Sequence, residues 1–196
     1  HGAGWQANET GIFEHFDRAA NAGRIPIMVQ DNPPLSGVQL SVSLLVKMAQ
    51  SIPLQYFKIE TSKTAEKLRA LIAKGGDDIV GPFDGDGGIT LMADLDAGAT
   101  GTMPSALIPD LIRRVVEAHR VGDREAAARH YDRILPLINY ENLQCGLGGT
   151  KFIMKEGGVI RSDHVRHPVA PLDPVLRTEL LELTRQVEPL VLRWGL

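Results

Sequence analysis

The sequence predicts an α/β fold, a parallel sheet built from βα units, followed by an all-helical extension. Three observations lead there. Short apolar runs alternate with amphipathic helical patterns, the signature of βαβ units and a parallel sheet. Glycine pairs and an Asn-Pro-Pro segment punctuate the changeovers. After Gly122 the strand-like runs stop and only helical patterns follow.

Each element has its own reason. Asn8 to Ala22 reads as a helix, with Thr10 as a candidate cap and Ile12, Phe13 and Phe16 spaced three to four apart. IPIMVQD (25–31) is an apolar run suited to a buried parallel strand, stopped by Asn32-Pro33-Pro34. Ser41 to Ser51 is a helix with Val42, Leu45, Val46 and Ala49 on one face. Leu54 to Glu60 is a second strand, and Thr61 to Gly75 a helix closed by Gly75-Gly76. Asp78 to Phe83 is a third strand, Gly88 to Ala97 a short helix, and Ala99 to Met103 a small-residue fourth strand. Pro109 to Val121 is a helix, turned by Gly122-Asp123; Asp123 to Leu137, Asn142 to Glu156 and Asp173 to Val191 are helices beyond it.

Four βα units amount to half of a (β/α)₈ barrel, which takes roughly 250 residues. A three-layer open sheet competes with that architecture. The expected division is a partial barrel over 1–121 and a helical extension over 122–196. A half barrel leaves two sheet edges and one core face open, which favours a homo-oligomer. The start at His1, running into a helix pattern, reads as part of a longer protein.

Composition narrows the function. The 196 residues carry 21 basic and 24 acidic side chains, a net charge of −3, with the basic residues scattered. That argues against nucleic-acid binding. No apolar run reaches the ~18 residues of a membrane span, and the start shows no secretory signal. The single Cys145 excludes an internal disulfide framework and suits a reducing, cytoplasmic setting. Neither GxGxxG after a strand nor GxxxxGK[ST] occurs, so both nucleotide fingerprints are missing. His15, His119, His130, His164 and His167 show no metal-binding spacing.

Ligands of either fold sit beyond the carboxyl ends of the strands. The polar residues there are Gln30, Asp31, Lys58, Glu60, Asp84, Asp86 and Ser105. Lys58 stands out, an amine inside the apolar run Tyr56-Phe57-Lys58-Ile59. Burial disfavours an ammonium, and a neutral amine attacks a ketone to form a Schiff base. The plainer reading is a packed stem with its head in water or on a carboxylate. Glu60, two residues on and on the same face, is an acid, a base or simply Lys58's partner. GPFDGDGG (81–88) reads as a magnesium site, as backbone approaching a substrate carboxylate or hydroxyl, or as a tight turn, the last two favoured together. Cys145 reads as a buried inert thiol.

With these residues in view, the chain resembles the dihydrodipicolinate synthase / N-acetylneuraminate lyase superfamily of Schiff-base barrels. The resemblance rests on IPIMVQDNPPLSGVQLS, YFKIE and GPFDGDGGITLMADLDAGATGTMPS, then GDREAAARHYDRILPLIN, TKFIMKEGGVI and RHPVAPLDP, in the right order over almost the whole chain. IPIMVQD, YFKIET, GITLMADLDAGATG and PLVLRWG look most like its L-2-keto-3-deoxyarabonate dehydratase branch. The resemblance implies that Lys58 forms the imine, and that strands with a Gly-Thr-Thr/Ser motif and a Pro-Pro-Tyr segment precede this chain. Many members carry a proton-relaying Tyr where Gln30 stands; an amide cannot relay protons, which moves that role to Glu60.

The expected activity is therefore a Schiff-base hydro-lyase that converts a 2-keto-3-deoxy sugar acid, L-2-keto-3-deoxyarabonate, to 2,5-dioxopentanoate. Lys58 and Glu60 are the expected catalytic residues. Gln30, Asp31, Gly85 and Ser105 are the expected substrate contacts. No metal or organic cofactor is expected. Retro-aldol cleavage of a related keto acid and an inactive half-barrel or structural subunit stand as alternatives.

Overall fold

The computed structural model describes residues 8–23, 25–52 and 55–194; the opening HGAGWQA segment lies outside the described residues. The chain forms two compact units, His1–Asp86 with Ala93–Met103, and Gly87–Met92 with Pro104–Leu196. The helix that begins at Pro109 packs on the helix after it and groups with the later helices in the second unit.

The first unit opens with α1 (Glu9–Gly23), β1 (Ile27–Asp31), a single turn α2 (Pro33–Ser36) and α3 (Val42–Ser51). β2 (Gln55–Ile59), α4 (Thr64–Gly75) and β3 (Val80–Asp84) follow; α5 (Leu91–Asp96) and β4 (Gly101–Thr102) complete the series. Asn8, and not Thr10, caps α1: its carboxamide oxygen accepts from the Gly11 amide at 2.8 Å. Asn32 ends β1 as expected, but its side chain also caps α2, accepting from the Leu35 amide at 3.0 Å. Ser41 caps α3 by accepting from the Leu44 amide at 3.1 Å.

The four strands run parallel in the order β1-β2-β3-β4. Gln30 stands opposite Lys58, and Lys58 opposite Phe83; one step on, Asp31, Ile59 and Asp84 align. Alternation then divides the sheet into two faces. Val29, Asp31, Phe57, Ile59 and Asp84 share the face that is buried. α3 and α4 pack on β2, and Leu44, Leu45, Met48, Leu68 and Leu71 close the core. Each such side chain contributes about 1.5–3 kcal/mol of burial. Gln30, Lys58 and Phe83 lie on the other face, which is only partly covered. Gly81, at φ +47°, supplies the bulge between the Tyr56 and Phe57 pairings that brings β3 into this register.

β4 is shorter than 99–103. The Ala99 amide donates to the Asp94 carbonyl at 2.9 Å, so the residue expected to begin the strand instead closes the end of α5, while the Thr100 amide already donates to the Pro82 carbonyl of β3 at 2.9 Å.

The second unit is helical. α6 (Pro109–Arg120) packs on α7 (Arg124–Tyr140). A π-helical turn, Glu141–Cys145, leads to α8 (Gly146–Glu156), and α9 (Pro174–Val187) packs on α7 and α8. α7 thus runs on past Leu137 into that turn. Gly146, at φ +53°, marks the change of direction that the sequence pattern places near 138–141. Among the described residues no helix is long and apolar enough to cross a membrane.

Candidate active site

The site is built at the carboxyl ends of β1, β2 and β3. The strand ends are tied together: the Glu60 amide donates to the Asp31 carbonyl at 2.9 Å and the Gly85 amide to the Ile59 carbonyl at 3.0 Å. Residues 30, 58, 60 and 85 therefore sit on a stiff frame.

Lys58 points to the partly covered face, its side chain 17% exposed and that of Glu60 22% exposed. Lys58 Nζ lies 3.1 Å from Glu60 Oε2. Gln30 Nε2 donates to the same oxygen at 2.6 Å. One carboxylate oxygen thus gathers an amine from the neighbouring position and an amide from the adjacent strand. Among the described residues the amide oxygen of Gln30 has no partner, so it can accept from a ligand. Glu60 can take a proton from the Lys58 ammonium, which frees the nitrogen lone pair for attack on a carbonyl carbon.

Gly85 clears the path of the lysine. A Cβ at position 85 would stand 2.7 Å from Lys58 Cε, 2.9 Å from Lys58 Cγ and 2.9 Å from Glu60 Cβ. That explains a glycine where the chain conformation does not demand one, since Gly85 is not among the positive-φ residues.

Asp31 takes a different place from the one expected of a substrate contact. It is buried on the opposite face, paired with Lys67, and accepts from the Leu40 amide at 3.1 Å. Asp84 is equally committed, accepting from the Thr102 hydroxyl at 2.6 Å and the Asp86 amide at 3.1 Å. Asp86 lines a cavity of about 460 Å³ together with Glu60, Asn32, Leu35, Thr61 and Ser62. Burial, reinforced by the charges of Asp84 and Glu60, raises the Asp86 carboxyl above its ordinary range. Among the described residues no three His, Cys, Asp or Glu side chains cluster as a metal site.

Ser105 belongs to the second unit. Its hydroxyl accepts from the Leu107 amide at 3.2 Å and hydrogen-bonds to the Glu141 carboxylate. Glu141 is 6% exposed and also accepts from the Thr150 hydroxyl. Burial pushes Glu141 up, against the pull of those two hydroxyls. Neither Glu141 nor Lys67 stands out in the sequence. Glu141 sits in a π-helical turn that helical periodicity cannot reveal, and Lys67 looks like one more charge on a helix whose Lys63–Glu66 pair is exposed. Cys145 is half-buried, not buried as expected; its thiol is pushed up to about 11, first by burial and then by Glu141 and Glu179, which disfavours the reactive thiolate.

Fold and site together define a class, an α/β chain of parallel βα units with a lysine–glutamate pair at the carboxyl ends of its strands. The chain belongs to the dihydrodipicolinate synthetase family, which it matches over residues 5–187. It is 51% identical over 196 residues to an L-2-keto-3-deoxyarabonate dehydratase of Azospirillum brasilense, covering 100% of this chain and 63% of that protein. It is 28% identical over 182 residues to a 4-hydroxy-tetrahydrodipicolinate synthase of Methanosarcina mazei, covering 92% of this chain and 62% of that one. The crystal structure of a dihydrodipicolinate synthase from Rhodopseudomonas palustris superposes with a TM-score of 0.79 at 26% identity, over 91% of this chain and 62% of the other. The fold is thus like that of the family's barrels, and the four parallel strands are part of such a barrel. The chain spans less than two thirds of the length of these relatives.

Proposed function

We propose that this chain carries the imine-forming site of a lyase that dehydrates a 2-keto-3-deoxy sugar acid, L-2-keto-3-deoxyarabonate, to 2,5-dioxopentanoate. The observation that carries the reading is the shared carboxylate oxygen, with Lys58 Nζ at 3.1 Å and Gln30 Nε2 at 2.6 Å from Glu60 Oε2. The dehydratase likeness in Azospirillum brasilense supports the choice of substrate.

The chemistry follows from those groups. Glu60 takes a proton from Lys58, and the amine adds to the C2 ketone; loss of water leaves an iminium. The iminium acidifies C3, and a carboxylate held beside the nitrogen removes a C3 proton to give an enamine. The enamine pushes out the C4 hydroxyl. A C5 proton then shifts to carbon, the enol becomes an aldehyde, and water releases the product from Lys58. The net change is loss of one water with every carbon retained. Gln30 holds a substrate hydroxyl through its amide oxygen, with Gly85 as further lining and Asp31 as a support for its strand. The imine is the electron sink, so the reading requires no organic cofactor.

In this reading 1–121 forms the C-terminal half of a (β/α)₈ barrel and 122–196 a helical extension. β1 and β4 are the outer strands of the described sheet, which suits assembly as a homo-oligomer. The one thiol suits a reducing cytoplasm. Borohydride reduction in the presence of pyruvate tests the imine: a reduced adduct on Lys58 is expected, and an unmodified mass would sink the reading. Product analysis tests the reaction. A five-carbon semialdehyde is expected, whereas pyruvate plus an aldehyde would mark carbon–carbon cleavage instead.

A further inference from the structure

We propose that Asp86 is the general acid of this site, delivering the proton that turns the departing C4 hydroxyl into water. The inference rests on the imine reading above and adds the group that reading lacks. Hydroxide is a poor leaving group, so elimination needs a proton donor facing the leaving oxygen. Glu60 is occupied with Lys58 and Gln30. Asp31 and Asp84 are buried and already hydrogen-bonded. Asp86 differs from all three. It lines the same cavity as Glu60, and no hydrogen bond or ion pair engages its carboxyl among the described residues. Its amide is anchored on Asp84 at 3.1 Å, which fixes the backbone while the carboxyl stays uncommitted. Burial and the adjacent charges of Asp84 and Glu60 hold the proton on it more tightly than on an ordinary aspartate, the state an acid catalyst must start from.

The step balances. The cycle needs Glu60 as the carboxylate and Asp86 as the carboxylic acid. Glu60 removes a C3 proton, and the C3–H pair becomes the enamine double bond. The enamine then forms C3=C4 as the C4–O pair leaves with the Asp86 proton. Water departs, Glu60 is left protonated and Asp86 ionised, and proton exchange with solvent resets both.

The test compares Asp86→Asn with the unsubstituted full chain in three assays. These are borohydride trapping of pyruvate, dehydration of 2-keto-3-deoxyarabonate, and fluoride release from its 4-deoxy-4-fluoro counterpart, whose leaving group needs far less proton assistance. The variant is expected to trap pyruvate normally, to lose dehydration by about 100- to 10,000-fold, and to release fluoride within about tenfold of the unsubstituted rate, a margin well inside that loss. Asp86→Glu should restore part of the dehydration. A merely structural role would depress both leaving groups together, and that result overturns the proposal. Dehydration by Asp86→Asn at the unsubstituted rate, or no dehydration by a chain that traps pyruvate, also overturns it while leaving the imine intact. Failure of the unsubstituted chain to trap pyruvate overturns the imine reading and Asp86's role together.

Discussion

Two lysine–carboxylate pairs stand on the same sheet and do different things. Lys67 and Asp31 lie on the helix-covered face, 10% and 0% exposed. Lys58 and Glu60 lie at the strand ends on the other face, 17% and 22% exposed. The first pair is closed. Asp31 accepts from Lys67 and from the Leu40 amide, and Lys67 donates again to the Leu40 carbonyl. It clamps the loop between β1 and α3 to α4. The second pair is open. Two of the three Lys58 N–H positions and one Glu60 oxygen have no protein partner among the described residues, and a glycine keeps the space beside them clear. A small difference in exposure separates a structural pair from a reactive one less well than the count of satisfied donors and acceptors does.

That contrast breaks first at the amine. Lys58→Met keeps the stem and removes the nitrogen, so borohydride trapping of pyruvate should vanish completely by mass spectrometry. Stability should change by less than about 1 kcal/mol, because a partly exposed pair contributes little. Trapping that persists elsewhere in the variant would place the imine on another lysine.

The closed pair should show the reverse. Asp31→Asn leaves the Lys67 ammonium with a buried, uncompensated charge and should cost about 3–5 kcal/mol in a denaturant titration. Adding Lys67→Met should return part of that loss, since the two costs share one interaction. Equal losses from Asp31→Asn and Glu60→Gln would erase the distinction between the pairs.

Gly85→Ala probes the open space directly. The new methyl would meet Lys58 Cε at 2.7 Å and Lys58 Cγ and Glu60 Cβ at 2.9 Å. The backbone there tolerates alanine, so the effect falls on the lysine's position. Trapping should slow by up to about 100-fold, the scale of an ångström-sized misplacement, and crowding of the Glu60 Cβ should cost about 1–3 kcal/mol in a thermal melt.

These side chains also show what the sequence can disclose. Alternating runs disclose a parallel sheet of βα units, and Lys58 is legible as an amine in an apolar strand with Glu60 on its face; that Gln30 stands opposite Lys58 is a matter of register between strands, which the runs do not encode. Asp31 is not. It follows Gln30 directly, the pleat sends it to the other face, and its partner Lys67 is 36 residues away on α4. The bound on β4 fails for a local reason, the hydrogen bond from Ala99 to Asp94, which no propensity encodes. Gly85 reads as backbone approach from sequence, while its role for the lysine stem needs three dimensions. The glycine-rich 81–88 segment shows two aspartates of equal standing; only the structure separates committed Asp84 from uncommitted Asp86.

A third carboxylate extends the comparison to the surface of the second unit, and there the expected effect is smallest. Asp163 bridges Lys155 at 3.0 Å and Arg177 at 2.6 Å. Those partners hold its carboxyl down to about 2. A carboxyl lowered on folding releases its proton more readily in the folded state, so its stabilising contribution is present above the ordinary value of 3.8 and is lost as pH falls through about 2. The partners reach into solvent, so screening keeps the contribution below about 1 kcal/mol. Asp163→Asn should therefore be slightly less stable than the unsubstituted chain at pH 6, and the gap should close between about pH 4 and pH 2. High salt should shrink it at pH 6, as it would not for Asp31→Asn, where the charges are out of reach of the ions. A gap that is independent of both pH and salt would mean that Asp163 acts through packing, and that its two cations stabilise nothing.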